Sequence, residues 1–276
     1  MQVTGFNVLE TGLVKSSLER AVAKTILFTA LEPLLATDEG KAKQAIAQLA
    51  KKSIPVILFS DRSRAEIEPV REQLGLTAPF IVEGGSAIFT PVENSPLKTP
   101  LGEHDGNYYL YELGCPYVQA RAGLRVLANE ISHPLKGFGD FTVQQLERSL
   151  GVSEERAHLA KAREFSEPFM TPKSVDLESL KQSAKDMGFE AVIRDDKDSR
   201  FSLLKGAEAN LTGAAEAVIA AYGRAEDALR IGGIAISQEE IDALSTAEES
   251  FDWTGVLLSV QPDATTAWLD AVERWL

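Results

Sequence analysis

Ser60 and Asp61, followed at once by Arg62 and Arg64, place a hydroxyl, a carboxylate and two guanidinium groups directly after the apolar run Ile54 to Phe59. A guanidinium offers a bidentate fork to a carboxylate or phosphate, so the segment has the chemistry of an anion site. The other reading of these arginines is surface pairing with the abundant Asp and Glu, and both stay open. Asp61 can likewise act as a carboxylate nucleophile or, more ordinarily for Asp at a strand-to-helix turn, cap the helix that follows. Asp38 is a second carboxylate near a strand end. His104, His133 and His158 share no metal-ligand spacing and read as solvated or helix-surface residues. The single cysteine, Cys115, excludes an internal disulfide and any multi-cysteine metal site. Beside Pro116 it reads as structural. Trp253, Trp268 and Trp275 read as packing for the last helix.

The elements that must hold these residues follow from periodicity. Thr25 to Thr29 is a short buried strand closed by Glu32-Pro33. Ala42, Ala45, Ile46, Leu49 and Ala50 share a helical face, and Ile54 to Phe59 is a second strand. Helical spacing from Ala65 to Leu74 stops at Gly75, and Phe80 to Val82 runs into Glu83-Gly84-Gly85. Alternation of strand and helix at this spacing predicts a parallel sheet with right-handed crossovers. Ligands gather beyond the carboxyl ends of such strands, here Thr29 to Glu32, Ser60 to Arg64 and Glu83 to Ser86.

Thr90 to Asn107, rich in Pro, Gly and polar residues, reads as a loop or linker. Beyond it the rhythm changes. Helices are predicted at 117–131, 142–150, 153–164 and 177–187, with strands near 166–170, 190–194 and 200–204, the last two as a hairpin turning at 195–198. The α/β pattern then returns, with helices at 209–222, 238–244 and 265–276 and strands at 228–236 and 256–260. The domain reading is an N-terminal extension (1–24), a core (25–114 and 205–276) and an inserted α+β unit (115–204).

With 276 residues, 44% of them hydrophobic, the chain can bury a sizeable core. A formal net charge of −13 disfavours nucleic acid and anionic membranes as partners. It leaves room for a local basic pocket around one small phosphorylated ligand. No apolar run approaches the roughly 18 residues of a spanning helix, and residues 1–24 lack the apolar stretch of a signal peptide. A cytoplasmic address is the expectation.

Several stretches together resemble haloacid-dehalogenase-like (HAD) phosphatases of the mannosyl-3-phosphoglycerate phosphatase branch. They are FTALEPLL from Phe28, IPVILFSDRSRAEI from Ile54, PFIVEGGSAI from Pro79, GFGDFTVQQL from Gly137 and LAKAREFSEPF from Leu159. The resemblance implies a Rossmannoid core with an inserted cap. It also implies a Mg²⁺-dependent phosphatase for a glycosyl-phosphoglycerate, in which one Asp attacks phosphorus and a second, two residues on, protonates the leaving oxygen. A Ser or Thr and a Lys hold the phosphoryl oxygens, and a late Asp cluster completes the metal site.

This sequence departs from that pattern. The nucleophile position is Ala30, whose methyl group can neither form an aspartyl-phosphate nor ligate metal. The acid position is Glu32, and Pro33-Leu34 replace the Gly-Thr turn. Ser60 matches the hydroxyl. Asn210 or Thr212 stands at the lysine, with Lys205 upstream, and Ala235 stands at a metal-binding Asp. Glu32 and Glu239 remain as weak metal candidates. No cofactor is expected, and Mg²⁺ only if catalytic groups have relocated. The ligand-binding set implied by resemblance and chemistry is Ser60, Arg62, Arg64, Gly84, Gly85, Arg163, Glu167 and Arg200, with Gly84 replacing an Asn of the family. Three readings result. The first is an inactive homologue that binds a phosphorylated sugar or glycerate, or a partner protein. The second is an active phosphatase with relocated groups, and the third is an interaction scaffold with a vestigial cleft.

Overall fold

The computed structural model describes residues 25–97, 99–194, 200–222, 229–247, 252–258 and 266–276, so the extension at 1–24 and the turn at 195–198 lie outside the described residues. Strand β1 (Thr25–Ala30) is buried along nearly all its length, as its apolar run requires. It passes directly into a short helix, α1 (Leu31–Ala36), where the sequence suggests only a break at Glu32-Pro33. Pro33 is tolerated because a first-turn N–H has no intrahelical partner. Helix α2 (Glu39–Lys51) is capped by Asp38, whose carboxylate accepts from the Lys41 amide. Strand β2 (Val56–Phe59) leads to α3 (Arg64–Leu74), which ends on left-handed Gly75. Ser63 caps α3, in a reciprocal box with Glu66, so the cap expected of Asp61 belongs to its neighbour two residues on. Strand β3 (Phe80–Val82) follows.

The loop or linker expected over 90–107 is corrected in part: the described residues of 92–102 form a loop, but strands enter the stretch at both ends. Strands β4 (Ala87–Pro91), β5 (Glu103–Asp105) and β6 (Tyr108–Glu112) continue the sheet in antiparallel fashion. The reason is tertiary. Phe89 stacks on Phe80 of the next strand at 5.5 Å, and Tyr108 packs edge-on against both rings. Cross-strand aromatic pairs supply burial that local composition does not reveal.

The inserted unit begins with α4 (Tyr117–Glu130), a short turn at Phe138–Asp140, α5 (Val143–Leu150) and α6 (Glu154–Lys161). Strand β7 (Ser166–Met170), helix α7 (Leu177–Asp186) and strands β8 (Phe189–Val192) and β9 (Phe201–Gly206) complete it. The three strands form an antiparallel sheet in the order β7-β9-β8. Leu124 and Leu127 of α4 and Leu180 of α7 pack with Phe169 and Leu204 of this sheet, while Phe138, Phe141 and Phe201 make a second small core with α5 and α6.

The chain returns to the first sheet through α8 (Leu211–Tyr222), β10 (Arg230–Ala235), α9 (Gln238–Thr246), β11 (Asp252–Leu257) and α10 (Ala267–Val272). The large sheet has the order β11-β10-β1-β2-β3-β4-β6-β5, with the first five strands parallel. Trp268 and Trp275 pack with the last helix as expected, whereas Trp253, on β11, packs in the other core cluster with Leu244 and Ile241 of α9. Trp268 is fully buried and donates from Nε1 to the Thr29 hydroxyl at 2.9 Å. A Cβ on Gly232 would lie 2.6 Å from the Trp275 ring and one on Gly233 2.3 Å from Trp253, so the glycine pair of β10 makes room for both. No helix among the described residues is long and apolar enough to cross a membrane.

Candidate functional site

The tip of β1 carries Ala30, wholly buried, and the following turn carries Glu32 at the start of α1. The Glu32 carboxylate is engaged. Its Oε1 accepts from the Ser60 hydroxyl at 2.9 Å and from Arg62 Nε at 3.3 Å, while Arg62 Nη1 reaches Glu66 at 3.0 Å. Burial alone would lower the Arg62 pKa, but Glu66 and Glu32 outweigh it and raise the value further, fixing a permanent cation here. The Ser60 oxygen in turn accepts from the Arg62 amide at 3.2 Å.

The inserted unit closes over this tip through charged contacts. Glu83, at the turn after β3, is buried with a φ of +50°, and its carboxylate accepts from the amides of Glu164 and Phe165 and from the Ser166 hydroxyl. Arg163 Nε lies 3.3 Å from that carboxylate, close enough for an ion pair although its N–H is not aligned as a hydrogen bond. Nη2 of Arg163 donates to the Asp61 carbonyl at 2.8 Å and to Ser166 Oγ at 2.6 Å. Arg64 forks onto Glu164 at 2.8 and 3.3 Å and reaches Glu68, with its guanidinium over Phe89. Arg194, just past β8, pairs with Asp61.

Between the two units lies a cavity of about 420 Å³. Arg62, Arg156, Arg163, Arg194 and Arg200 line it against Glu32, Asp61 and Glu66, with Phe138, Pro168 and Phe201 on the apolar wall. Five guanidinium groups against three carboxylates make a basic cleft in an acidic chain. Arg163 is held by Glu83, Arg62 by Glu32 and Glu66, and Arg194 by Asp61. Arg156 and Arg200 are exposed and form no ion pair among the described residues.

Of the residues read from sequence, the structure brings Arg62, Arg163 and Arg200 together around this cavity, with Ser60 behind Glu32. Arg64 instead ties α3 to Glu164, and it does not line the cavity. Glu167 is also placed elsewhere: its Oε1 accepts from Arg121 and from the Gly139 amide, pinning the turn at 137–140. Burial raises the Glu167 pKa, partly offset by these donors. Gly84 lies beside Asp61, and Gly85 sits against the Asn210 carbonyl. Glu239 lines a separate cleft with Lys181 and Lys185, so the two weak metal candidates do not share a site. Near Glu32 stands Glu240 instead, its pKa raised by burial and by the Glu32 charge. Lys205, on β9, is buried, donates to the Gly84 carbonyl at 2.7 Å and pairs with Glu190; burial lowers its pKa.

Sequence reasoning missed Arg156 and Arg194. Arg194 sits at a strand end beside a predicted hairpin turn, which is a signal of sorts. Arg156 lies on an exposed helix face and gave none. Among the described residues no group of three or more His, Cys, Asp or Glu could hold a metal ion, and the side chains at the strand tips do not fit Mg²⁺. The tips of β1 and β10 offer the methyl groups of Ala30 and Ala235, and the Glu32 carboxylate already faces a guanidinium.

Residues 37–108 match the family of haloacid dehalogenase-like hydrolases, a match that starts beyond Ala30. A glucosyl-3-phosphoglycerate/mannosyl-3-phosphoglycerate phosphatase from Persephonella marina is 32% identical over 185 residues, 66% of each chain. The chain belongs to the haloacid-dehalogenase-like hydrolases. Within them it falls with the mannosyl-3-phosphoglycerate phosphatase branch. The enzyme of that name from Pyrococcus furiosus is 36% identical over 130 residues, 47% of this chain and 52% of its own. The matches thus span about half to two thirds of these relatives' length. The fold is shared with the sucrose-phosphatase of Synechocystis sp. PCC6803, solved with sucrose and phosphate, at a TM-score of 0.54 and 13% identity over 90% of this chain and 88% of that one. A superfamily phosphatase from Bacteroides thetaiotaomicron superposes with the same score and identity over 95% and 98%. At such identity the likeness speaks for the fold alone.

Proposed function

We propose that the chain binds a small phosphorylated sugar or glycerate in the core–cap cleft and does not hydrolyse it, serving a regulatory or scaffolding role. The observation that carries this reading is the pairing of an arginine-lined cavity with a methyl group, Ala30, at the strand tip where the family's chemistry needs a carboxylate. The related phosphatases named for glycosyl-3-phosphoglycerates support the ligand class. Guanidinium groups hold phosphate and carboxylate oxygens bidentately, and the ring face of a sugar suits the Phe138 and Phe201 wall. Covalent phosphoryl transfer needs an attacking oxygen. Of the nearby carboxylates, Glu32 is held by Ser60 and Arg62, and Asp61 by Arg194.

The test is to incubate the protein with mannosyl-3-phosphoglycerate, with and without Mg²⁺, following phosphate release and thermal stability together. Stabilisation without release supports binding. Mg²⁺-dependent release that vanishes with Asp61→Ala or Glu32→Ala would establish a relocated phosphatase and end the proposal. Ala30→Asp is expected to stay inactive, because Ala235 still offers no second ligand.

A further inference from the structure

The cleft contains its own anion. Asp61 comes from the core turn after β2 and Arg194 from the segment just past cap strand β8, and their side chains pair in the lining of the cavity. Both backbones are pinned. The Asp61 carbonyl accepts from buried Arg163, while the Arg194 amide donates to Ser202 Oγ and its carbonyl accepts from Thr171 Oγ1. Both side chains remain partly solvated, at 34% and 38% exposure, so each can rotate without the loops moving. Gly84 leaves the space the carboxylate occupies, since a Cβ there would stand 2.9 Å from Asp61 Oδ1. Arg156 and Arg200, by contrast, carry no internal counter-ion among the described residues.

We infer that Asp61 is a built-in competitor for the ligand: its carboxylate occupies Arg194 in the empty cleft, and an entering phosphate or carboxylate group displaces it and takes that guanidinium. The inference rests on the proposed anion-binding role and deepens it, by naming the residue that sets affinity. The exchange swaps one ion pair for another without moving backbone, so its cost is that of one partly exposed pair. A ligand anion must therefore outcompete a tethered carboxylate, which favours doubly charged phosphate over singly charged ions. The preference arises because a dianion gains more from Arg194, Arg156 and Arg200 together than a monoanion does.

Inorganic phosphate, titrated by calorimetry at fixed ionic strength and in EDTA, reads this directly. Asp61→Asn is expected to bind phosphate about two- to fivefold more tightly than the natural protein, as loss of a partly exposed competing pair implies. Arg194→Ala is expected to bind more weakly, and adding Asp61→Asn to Arg194→Ala is expected to restore less than half of the single-variant gain. Asp61→Ser is a second probe should the Asn variant fold poorly, and circular dichroism confirms each fold. If the natural protein binds phosphate and both Asp61 variants bind it no more tightly, the competitor role is overturned while the binding role stands. If no variant binds phosphate at all, both fall together. An equal gain in the Arg194→Ala background would show that Asp61 acts only through the general field, and would also overturn the pairing.

Discussion

Glu83 is expected to carry more of the core–cap junction than any other single side chain, and Glu83→Ala tests it. The carboxylate is fully buried and serves two amides, one hydroxyl and the Arg163 guanidinium, itself only 3% exposed. Removing it strands a buried cation, which costs about 3–5 kcal/mol when one partner of a buried pair is deleted. The amides of Glu164 and Phe165 lose their acceptor at about 1–3 kcal/mol each, reduced where water enters the void. Arg163 keeps its bonds to the Asp61 carbonyl and Ser166, so the lower part of these ranges applies. The expected loss is about 4 kcal/mol, or about 8–16 °C in melting temperature at roughly 2–4 °C per kcal/mol for a chain of this size. Urea denaturation followed by tryptophan fluorescence measures it. Glu83→Gln combined with Arg163→Met should cost less than the sum of the two single changes, because neither charge is then left alone. A loss below about 1.5 kcal/mol for Glu83→Ala, or strict additivity in the double variant, would refute the reasoning.

Arg156→Ala and Arg200→Ala should each weaken phosphate binding about three- to tenfold while shifting stability by less than about 0.5 kcal/mol, as expected for exposed arginines that form no ion pair among the described residues; calorimetry and a melting curve check both halves. Gly85→Ala should destabilise by more than about 2 kcal/mol or fail to fold, since the added Cβ would lie 2.3 Å from the Asn210 carbonyl carbon at a φ of +85°; denaturant titration reads it. The raised Glu167 pKa, due first to burial, means the fold favours the protonated acid. That contribution is fully present below the unfolded value of 4.5 and fades as pH rises through the folded value. Melting temperatures from acid to neutral pH should therefore fall in the natural protein relative to Glu167→Gln. A difference independent of pH would show that burial does not perturb this group.

Much of the scaffold was legible because burial leaves periodic traces. The runs Thr25 to Thr29, Ile54 to Phe59 and Phe80 to Val82 became β1, β2 and β3, and the ends of these strands are where the cleft lies. Resemblance in the first motif pointed to Ala30 as a missing nucleophile, and the structure puts a buried methyl group at that strand tip. The strands at 87–112 were hidden because Pro and Gly dominate their ends, while the stabilising Phe80, Phe89 and Tyr108 contacts are formed across strands.

The sequence by itself determined which segments are buried, in what alternation, and that an alanine stands at the end of the first core strand, because each is a property of neighbouring residues. Only the tertiary structure decided which charges meet. Glu83 finds Ser166 at a separation of 83 residues, and Arg64 finds Glu164 at 100. Such encounters depend on crossover paths and on the seating of the inserted unit. A guanidinium on a solvated helix and one in a ligand cleft look alike in sequence; Arg156 and Arg194 acquire their meaning only when the two units close on each other.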